Sequence, residues 1–537
     1  MIVDAALPAV FFLYGAAVSG GTGPFADCEA QYARAPAGRS SAECFYQVGL
    51  RKKRWELAAR HLSRRLASDP DNDWLRLYLG NVYWWSDRPR ALKRYEEAAD
   101  GFSARGEATG ELMARGNIRT LLMQEGRTSE AEAQVRRIVK AVEGTKDPEL
   151  LSRAFLLEAR HLWETSRDLG RAEILLRRAE ALLFPAGPYA LQRDCLLRLG
   201  NVVMELGDLE RSIDYNRRLE PLARRAEDTM SLAAVQHNVA NALRLRLEEN
   251  PRETGRREAL ELAREALKTS VLAGHREAEV SSHRLLGALL TANEDRRAEA
   301  RVHFERCLEQ ARRYDLPQER GNCLWEFARF LGGEDPRRAR RAAREALAIS
   351  LKHGDPAYVA FAWRQAMRMA WLGDDAQRAL ADSMEALEAV EKLRDLQRGE
   401  QPRAGLFSKW TADYYFVSGS LIRNAAGIGR GLAPAFKIVE RMRARTLLEA
   451  AFGARESADL DAVRARLSKT QAMLSFQLGL WEDLYGKFGG GAWVIVVSSG
   501  GVQALPLPDR MRLDSAVDVF LGLMERRDGS ERAFAGR

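Results

Sequence analysis

The chain has 537 residues, of which 46% are hydrophobic and 29% are charged. This length is too great for one ordinary globular core and predicts two or more domains or an array of repeats. The formal net charge of +8 comes from 83 basic and 75 acidic residues that are interspersed along the chain. Such mixing is typical of solvated helix faces and argues against the clustered basic stripe of a nucleic-acid-binding protein.

The first segment is apolar from Ala5 to Val18, which is too short to predict a membrane span. It resembles the apolar core of a signal peptide, but Asp4 precedes it and no Lys or Arg does. A signal and a loose tail or capping helix both stay open for residues 1–25. The localisation therefore stays open between the cytoplasm and export to the cell envelope.

Two of the five cysteines, Cys28 and Cys44, flank a predicted helix, a turn rich in Pro, Gly and Ser, and the start of a second helix. Antiparallel helices could bring these two thiols together in residues 26–71, which we predict to be an N-terminal helical hairpin or cap. The candidate disulfide would form only in an oxidising compartment, so it and export depend on each other. No CxxC pair is present, which excludes zinc-ribbon and thioredoxin-type sites.

From residue 72 to residue 452, a pattern of about forty residues repeats. Each copy predicts a first helix, a tight turn, and a second helix with a small residue followed seven positions later by a small or apolar one. The first members of these pairs are mostly 39 to 41 residues apart: Ala91, Ala131, Ala172, Ser212, Ala259, Ala300, Ala339, Ala379 and Ala435. Residues two helical turns apart share one face, so the second helix can approach its partner closely and the hairpins can stack.

The clearest copy joins "LRLGN" at Leu197–Asn201 to "GDLERSIDYNRRLE" at Gly207–Glu220. It resembles the tetratricopeptide repeat, although the period exceeds that family's usual length of about 34 residues. HEAT-like repeats share the longer period but lack the Leu-Gly-Asn signal. The resemblance implies an all-α fold, a tetratricopeptide-like α-solenoid of about nine helical hairpins over residues 72–452.

Such solenoids have a concave groove lined by the first helix of each hairpin, and the resemblance places five asparagines there. They are Asn81, Asn117, Asn201, Asn238 and Asn241. An asparagine side chain can donate to and accept from the main chain of an extended peptide. We therefore predict a protein or peptide partner in the groove. The alternative is that these side chains pack against or cap neighbouring helices.

Other motifs predict no cofactor and no metal. "GIGRGL" at Gly427–Leu432 follows a helix and connects a hairpin, whereas a dinucleotide loop must follow a strand. His303 and Cys307 are four residues apart and could face one metal ion. Cys307 occupies the slot that alanine fills in neighbouring repeats, however, so we predict that it is a buried core residue.

The pattern changes to strands after residue 452. A helix over "SADLDAVRARLSKT" is followed by predicted strands in "AMLSFQLGL", "AWVIVVSS" and "VQALPLP", the last two forming a hairpin, and then by a helix capped by Asp509. "ERMRARTLLE" together with "AWVIVV…VQALPLP" resembles the entry to a CHAT domain. CHAT domains are similar to caspases and separases and follow bacterial tetratricopeptide arrays. Residues 453–537 are thus predicted to be a partial CHAT-like α/β segment.

The CHAT resemblance implies a peptidase with a His general base and a Cys nucleophile. The last histidine here is His353 and the last cysteine is Cys323, and both lie inside the predicted repeats. We therefore predict no catalytic residue and no enzyme activity for this chain, and a cysteine peptidase for the full-length parent. The predicted function is a protein–protein interaction scaffold, the arm that recognises a substrate or regulator and contacts the missing peptidase domain. A stand-alone scaffold with a vestigial β cap and the sensor arm of a signalling regulator remain alternatives.

Overall fold

The computed structural model describes most of the chain between Phe25 and Arg526. The described ranges are residues 25–36, 38–84, 86–165, 168–184, 186–249, 255–291, 293–373, 375–397, 409–424, 432–452, 459–482 and 487–526. Within these ranges the chain is helical apart from one small antiparallel sheet near its C-terminal end. The predicted fold class, a tetratricopeptide-like helical solenoid followed by a small α/β segment, is therefore confirmed. The apolar segment from Ala5 to Val18 and most of "GIGRGL" lie outside the described residues.

Three helices precede the repeats, namely α1 (Ala26–Arg34), α2 (Arg39–Lys52) and α3 (Trp55–Ser68). Phe25, Tyr32 and Phe45 are buried among them in one aromatic cluster. Nine helical hairpins follow in the described residues. Their first helices are α4 (Asp73–Tyr83), α6 (Ala108–Gln124), α8 (Pro148–Glu164), α10 (Tyr189–Glu205), α12 (Thr229–Glu249), α14 (Arg276–Thr291), α16 (Pro317–Leu331), α18 (Pro356–Ala370) and α20 (Thr411–Arg423).

Each first helix is followed by a second helix that carries the small-residue pair. The second helices are α5 (Arg88–Ala104), α7 (Thr128–Ala141), α9 (Leu169–Leu183), α11 (Leu209–Arg225), α13 (Arg256–Leu272), α15 (Arg297–Arg313), α17 (Pro336–His353), α19 (Ala376–Asp395) and α21 (Ala433–Phe452). A short 3-10 turn, Glu294–Arg296, precedes α15.

The chain folds into two compact units. The smaller unit contains residues 25–165 and 171–199, and the larger unit contains residues 168–170 and 200–526. The larger unit thus holds the last residues of α10, the helices from α11 onward and the sheet. The domain boundaries at residues 26, 72 and 453 stay a prediction.

Aspartates set where several second helices begin. Gly207 adopts a φ of 88° in the turn after α10, a conformation that glycine tolerates best. The next residue, Asp208, caps α11 by accepting a hydrogen bond from the backbone N–H of Arg211 at 3.0 Å. Asp335 caps α17 in the same way, and Pro336 fills the first helical position, where no N–H partner is needed. The sequence therefore specifies these boundaries locally.

The second helices are buried along one stripe only. In α15 this stripe has the spacing of one helix face and consists of Ala300, Phe304, Cys307 and Ala311. Close contact with the first helix requires glycine at the crossing, because a Cβ atom added to Gly287 would lie 2.9 Å from the Phe304 ring. At Gly80 an added Cβ would lie 2.6 Å from the Tyr95 ring. Packing of an aromatic ring therefore explains why glycine lies at these two crossings.

The first helices are buried on more of their surface than the second helices. In α14 every residue from Arg284 to Thr291 is buried. In the larger unit α12 contacts α14, α14 contacts α16, and α16 contacts α18, whereas in the smaller unit α4 contacts α6 and α6 contacts α8. We call these successive first helices the inner layer of each unit. Polar side chains on the inner layer are therefore held in a largely dehydrated environment.

The C-terminal sheet belongs to the larger unit. Helix α22 (Leu460–Arg466) leads to β1 (Ala472–Leu478), β2 (Ala492–Ser498) and β3 (Gly501–Pro506), and α23 (Arg510–Arg526) follows. The strands are antiparallel in the order β1-β2-β3, with Phe476 opposite Val494 and Val494 opposite Leu505. The three predicted strands and the β2–β3 hairpin are confirmed.

The apolar side chains of β1 point away from the helices. Leu474 is 53% exposed and Phe476 is 44% exposed, while the alternating polar residues Ser475 and Gln477 are buried. The reason is hydrogen bonding. Ser475 donates to Glu440 on α21 at 2.8 Å, and Gln477 donates through Nε2 to a backbone carbonyl of α20 at 3.0 Å. One apolar face of the sheet is consequently left uncovered by the described residues.

Candidate functional site

In the smaller unit, two of the predicted groove asparagines meet each other. Asn81 on α4 and Asn117 on α6 are both buried. The Asn81 Oδ1 atom accepts from the Tyr95 hydroxyl at 2.8 Å and from Asn117 Nδ2 at 3.0 Å. Asn81 and Asn117 therefore connect α4, α5 and α6. The Oδ1 atom of Asn117 has no donor among the described residues.

The remaining three asparagines lie in the larger unit. Asn238 on α12 is buried and donates to Asn201 and to Asn216, each at 3.2 Å. Asn241 accepts from Arg244 Nε at 3.2 Å. These contacts give the asparagines the packing role that the sequence left open. Peptide binding by the five asparagines stays a prediction.

Four charged residues connect α12 with α16 in the larger unit, and we call them the inner charge network. Arg244 Nη1 lies 2.5 Å from Glu248 and 3.7 Å from Glu326. Arg329 Nη1 lies 2.9 Å from Glu248 and 3.5 Å from Glu326. Each carboxylate therefore lies near two guanidinium groups. The network joins α12 to α16, and α14 contacts both of these helices.

The inner charge network keeps the Glu248 carboxylate ionised. Burial by itself would raise the pKa of Glu248, but the charges of Arg244 and Arg329 outweigh burial and hold that pKa below its ordinary value. Burying charges costs free energy unless each is paired and hydrogen-bonded, and here the charges are paired across two helices. The network therefore fixes the spacing of α12 and α16.

A second group of charges lies where α18 meets α20. Arg364 Nε donates to Asp413 at 2.7 Å, and Arg368 lies 3.3 Å from the other oxygen of the same carboxylate. The Arg364 guanidinium also lies 4.0 Å above the ring of Trp410, a cation–π contact. Trp410 is almost fully buried. The residue just before α20 is thus held firmly on α18.

The preceding residue, Lys409, reaches an element far away in sequence. Its Nζ atom lies 2.8 Å from Glu205 at the end of α10 and 5.0 Å from the centroid of the Phe361 ring. Its carbonyl oxygen accepts from Arg364 Nη2 at 3.4 Å. Lys409 therefore connects α10 with α18 in the larger unit.

The end of α19 makes a second long-range contact within the larger unit. The backbone N–H of Asp168 donates to the carbonyl of Leu396 at 3.1 Å, and the N–H of Leu169 donates to Gln397 Oε1 at 2.7 Å. Leu169 is the first residue of α9, whose opening N–H groups have no partner within the helix. Gln397 therefore caps the N-terminus of α9, although it lies 228 residues from Leu169 in the sequence.

Several buried polar atoms of this inner layer make no hydrogen bond with a described residue. They are Oδ1 of Asn322, Oη of Tyr358, Oε1 of Gln365 and both ring nitrogens of His237. Burial lowers the pKa of His237 well below its ordinary value, so this ring is neutral at pH 7. Unpartnered buried polar groups are uncommon and costly. These atoms on α12, α16 and α18 can therefore receive hydrogen bonds from, or donate them to, a bound polar group.

The sequence analysis missed Asn322, Tyr358 and Gln365. A signal for Asn322 was available, because it follows Gly321 as Asn81 follows Gly80 in the Leu-Gly-Asn motif. No comparable signal marks Tyr358 or Gln365, since each is one polar residue among several on an amphipathic helix.

The cysteines form two disulfides of equal sequence separation. Cys28 on α1 is bonded to Cys44 on α2, with Cα atoms 5.5 Å apart and a separation of 16 residues. Cys307 on α15 is bonded to Cys323 on α16, with Cα atoms 6.0 Å apart and the same separation. The sequence analysis predicted Cys307 to be a buried core residue and did not pair it with Cys323, which the second disulfide corrects. The shared spacing of 16 residues was the signal that could have identified it.

Two histidines of the larger unit lie together. The Nδ1 atoms of His283 and His303 are 2.9 Å apart on α14 and α15. Burial, followed by the neighbouring ring, lowers the pKa of His283 to about 4. Among the described residues, no group of three or more potential ligands could hold a metal ion. None of the helices in the described part of the chain is long and apolar enough to cross a membrane.

No family model matches the chain, and no curated protein matches it. Solved structures that resemble parts of it are helical. A Rap protein in complex with competence and sporulation factor is 14% identical, with a TM-score of 0.43 over 63% of this chain and 99% of that one. A signal transduction ATPase with numerous domains and a tetratricopeptide repeat sensor, from Pyrococcus horikoshii, is 14% identical, with a TM-score of 0.41 over 71% of this chain and 54% of that one. Yeast Tom70 is 12% identical, with a TM-score of 0.33 over 79% of this chain and 96% of that one.

Proposed function

We propose that the protein is an interaction scaffold that binds an extended peptide segment along the inner layer of its larger unit. The observation that carries this function is the set of buried polar atoms of Asn322, Tyr358 and Gln365, on α16 and α18, that make no hydrogen bond with a described residue. The inner charge network lies on α12 and α16 of the same layer. The five predicted groove asparagines belong to the same class of helices.

The chemistry of a peptide main chain suits these atoms. Each peptide unit presents one N–H donor and one C=O acceptor. Asn322 Oδ1 and Gln365 Oε1 can accept from such N–H groups, and the Tyr358 hydroxyl can donate to a carbonyl. The neighbouring charges of Arg244, Glu248, Glu326 and Arg329 already compensate one another. Recognition here is therefore expected to depend on hydrogen bonds more than on the net charge of the partner.

The test is a double variant, Asn322→Leu with Gln365→Met, in the full chain. Peptides are first selected on the wild-type protein from a displayed random library, and the selected peptides are then titrated by fluorescence anisotropy. We expect the variant to bind them roughly tenfold more weakly, because each lost hydrogen bond contributes about 1 kcal/mol. Its melting temperature should be unchanged or higher, because the replaced atoms make no hydrogen bond in the described structure.

The matched control is Asn238→Leu on α12. Asn238 is equally buried, but it donates to Asn201 and Asn216. This change should lower the melting temperature because it removes two internal hydrogen bonds. A double variant that binds the selected peptides as tightly as the wild type would remove α16 and α18 from the proposed site. A double variant that is as destabilised as the control would show that the two side chains have a packing role.

A second candidate function is that of the recognition arm of a CHAT-type cysteine peptidase. The supporting observation is the uncovered apolar face of the sheet, where Leu474, Phe476 and Leu505 are exposed. In a complete α/β domain such a face is packed against another layer. We infer that the three strands are the first part of a larger domain of the full-length parent, which would supply the His and Cys of the peptidase.

Reading the coding sequence downstream of codon 537 tests this second function. A continuing frame that contains a His and later a Cys near predicted strand ends would support it, and an immediate stop codon would favour the stand-alone scaffold. The chain as given should show no thiol-dependent peptide cleavage. Cys195 is the cysteine that lies outside the two disulfides. Cleavage that disappears when Cys195 is replaced by Ala would contradict this expectation.

A further inference from the structure

Arg119 is a fully buried arginine in the inner layer of the smaller unit. It lies on α6, in which every residue from Gly110 to Leu122 is buried. Its Nη2 atom donates to Glu164 at the end of α8. Its Nε and Nη1 atoms make no hydrogen bond with a described residue. Two N–H-bearing nitrogens of a charged side chain are thus held away from water without an acceptor in the described part of the chain.

Two further arginines, Arg160 and Arg198, lie near Arg119. Arg160 on α8 also uses Glu164, with its Nε atom 2.5 Å from that carboxylate, so one carboxylate serves two guanidinium groups. Burial first, and then the charges of Arg160 and Arg198, lower the pKa of Arg119 to about 10. Arg119 is therefore still protonated at pH 7. Consecutive first helices α6, α8 and α10 each contribute one of these three arginines.

A second buried arginine on α6 shows what Arg119 lacks. Arg115, one helical turn earlier, donates through Nε to Glu111 at 2.6 Å and through Nη1 to Gln134 at 3.2 Å. The same two nitrogens of Arg119 have no such acceptors. A buried charged group with unmade hydrogen bonds is destabilising, and an oxygen anion placed beside it would remove that cost.

We propose that Arg119, with Arg160 and Arg198 around it, forms a binding site for an oxyanion between α6, α8 and α10. The ligand would be a carboxylate or a phosphate, whose oxygens accept from Nε and Nη1 of Arg119. This site is separate from the peptide surface of the larger unit and does not depend on it.

Two measurements are made on the full chain. Thermal unfolding is compared in sodium acetate, sodium phosphate and sodium chloride at equal ionic strength, and isothermal titration calorimetry measures the affinity for each anion. We expect acetate or phosphate to raise the melting temperature of the smaller unit more than chloride does. Arg119→Met should weaken that anion binding at least about tenfold, because it removes charge-assisted hydrogen bonds. A response to acetate alone assigns the site to a carboxylate, and a response to phosphate alone assigns it to a phosphate.

Arg115→Met is the matched control, because it removes a buried arginine of the same helix whose Nε and Nη1 atoms are both hydrogen-bonded. It should lower stability and leave the anion response intact. Arg198→Met, at a partly exposed position, should weaken anion binding without preventing folding. The site is refuted if wild-type protein gains no more stability from acetate or phosphate than from chloride. An equal anion response in the wild type and in both the Arg119→Met and Arg198→Met variants would also refute it.

Discussion

The disulfide between Cys307 and Cys323 allows a quantitative test of the repeat packing. It joins the second helix of one hairpin, α15, to the first helix of the next, α16. Both cysteines are fully buried, so the double variant Cys307→Ala with Cys323→Ala removes the link while keeping small apolar side chains in place. The pair Cys28 and Cys44 has the same sequence separation and provides a matched double variant in the smaller unit.

The expected loss follows from the length of chain that each disulfide closes. A cross-link over a separation of 16 residues restricts the unfolded chain by an amount of entropy that corresponds to about 3 kcal/mol at 25 °C. The packing change at each small buried site adds less than this. Since repeat proteins lose structure locally, we expect the effect to be concentrated in α15, α16 and their neighbours.

Hydrogen exchange with and without reductant measures this loss region by region. Reduction of the wild type should lower amide protection in α15 and α16, and separately in α1 and α2. In the Cys307→Ala, Cys323→Ala variant, reductant should no longer change the protection of α15 and α16 but should still lower that of α1 and α2. In the Cys28→Ala, Cys44→Ala variant, reductant should still lower the protection of α15 and α16 and should no longer change that of α1 and α2. Non-reducing peptide mapping should find both links in protein recovered from an oxidising compartment. Unchanged protection of α15 and α16 in both reduced wild type and variant would refute the reasoning.

Three further changes test the fold and its charges. Gly287→Ala should destabilise the larger unit by about 1–3 kcal/mol in urea unfolding, because the added Cβ would meet the Phe304 ring. Asp208→Ala should cost about 1 kcal/mol by removing the cap on the N–H of Arg211. The folded-state pKa of Glu248 is lowered, so its stabilising contribution is present at pH 7 and is lost as the pH falls below its unfolded value of about 4.3. Glu248→Gln should accordingly flatten the decline of stability in acid, and an unaltered acid profile would count against the inner charge network.

The helical repeats can be predicted from the amino-acid sequence because their signals are local. A small residue at each crossing, as at Ala300, and a cap before the helix, as at Asp208, act within a few residues of where they stand in the chain. The strands were predictable for the same reason, since alternation and a glycine turn mark a hairpin. Asn81, Asn117 and Asn201 were found because each follows a glycine on a first helix.

Which polar side chains lie together depends on the tertiary structure. Glu205 and Lys409 are 204 residues apart, and no pattern in the sequence connects them. The same holds for Arg119, whose lack of acceptors depends on what α8 and α10 bring beside it. The orientation of β1 also depends on the tertiary structure. Its apolar side faces outward because the buried hydrogen bonds of Ser475 and Gln477 hold the polar side inward. Local propensity fixes the elements, whereas pairing and burial arise only when distant elements pack.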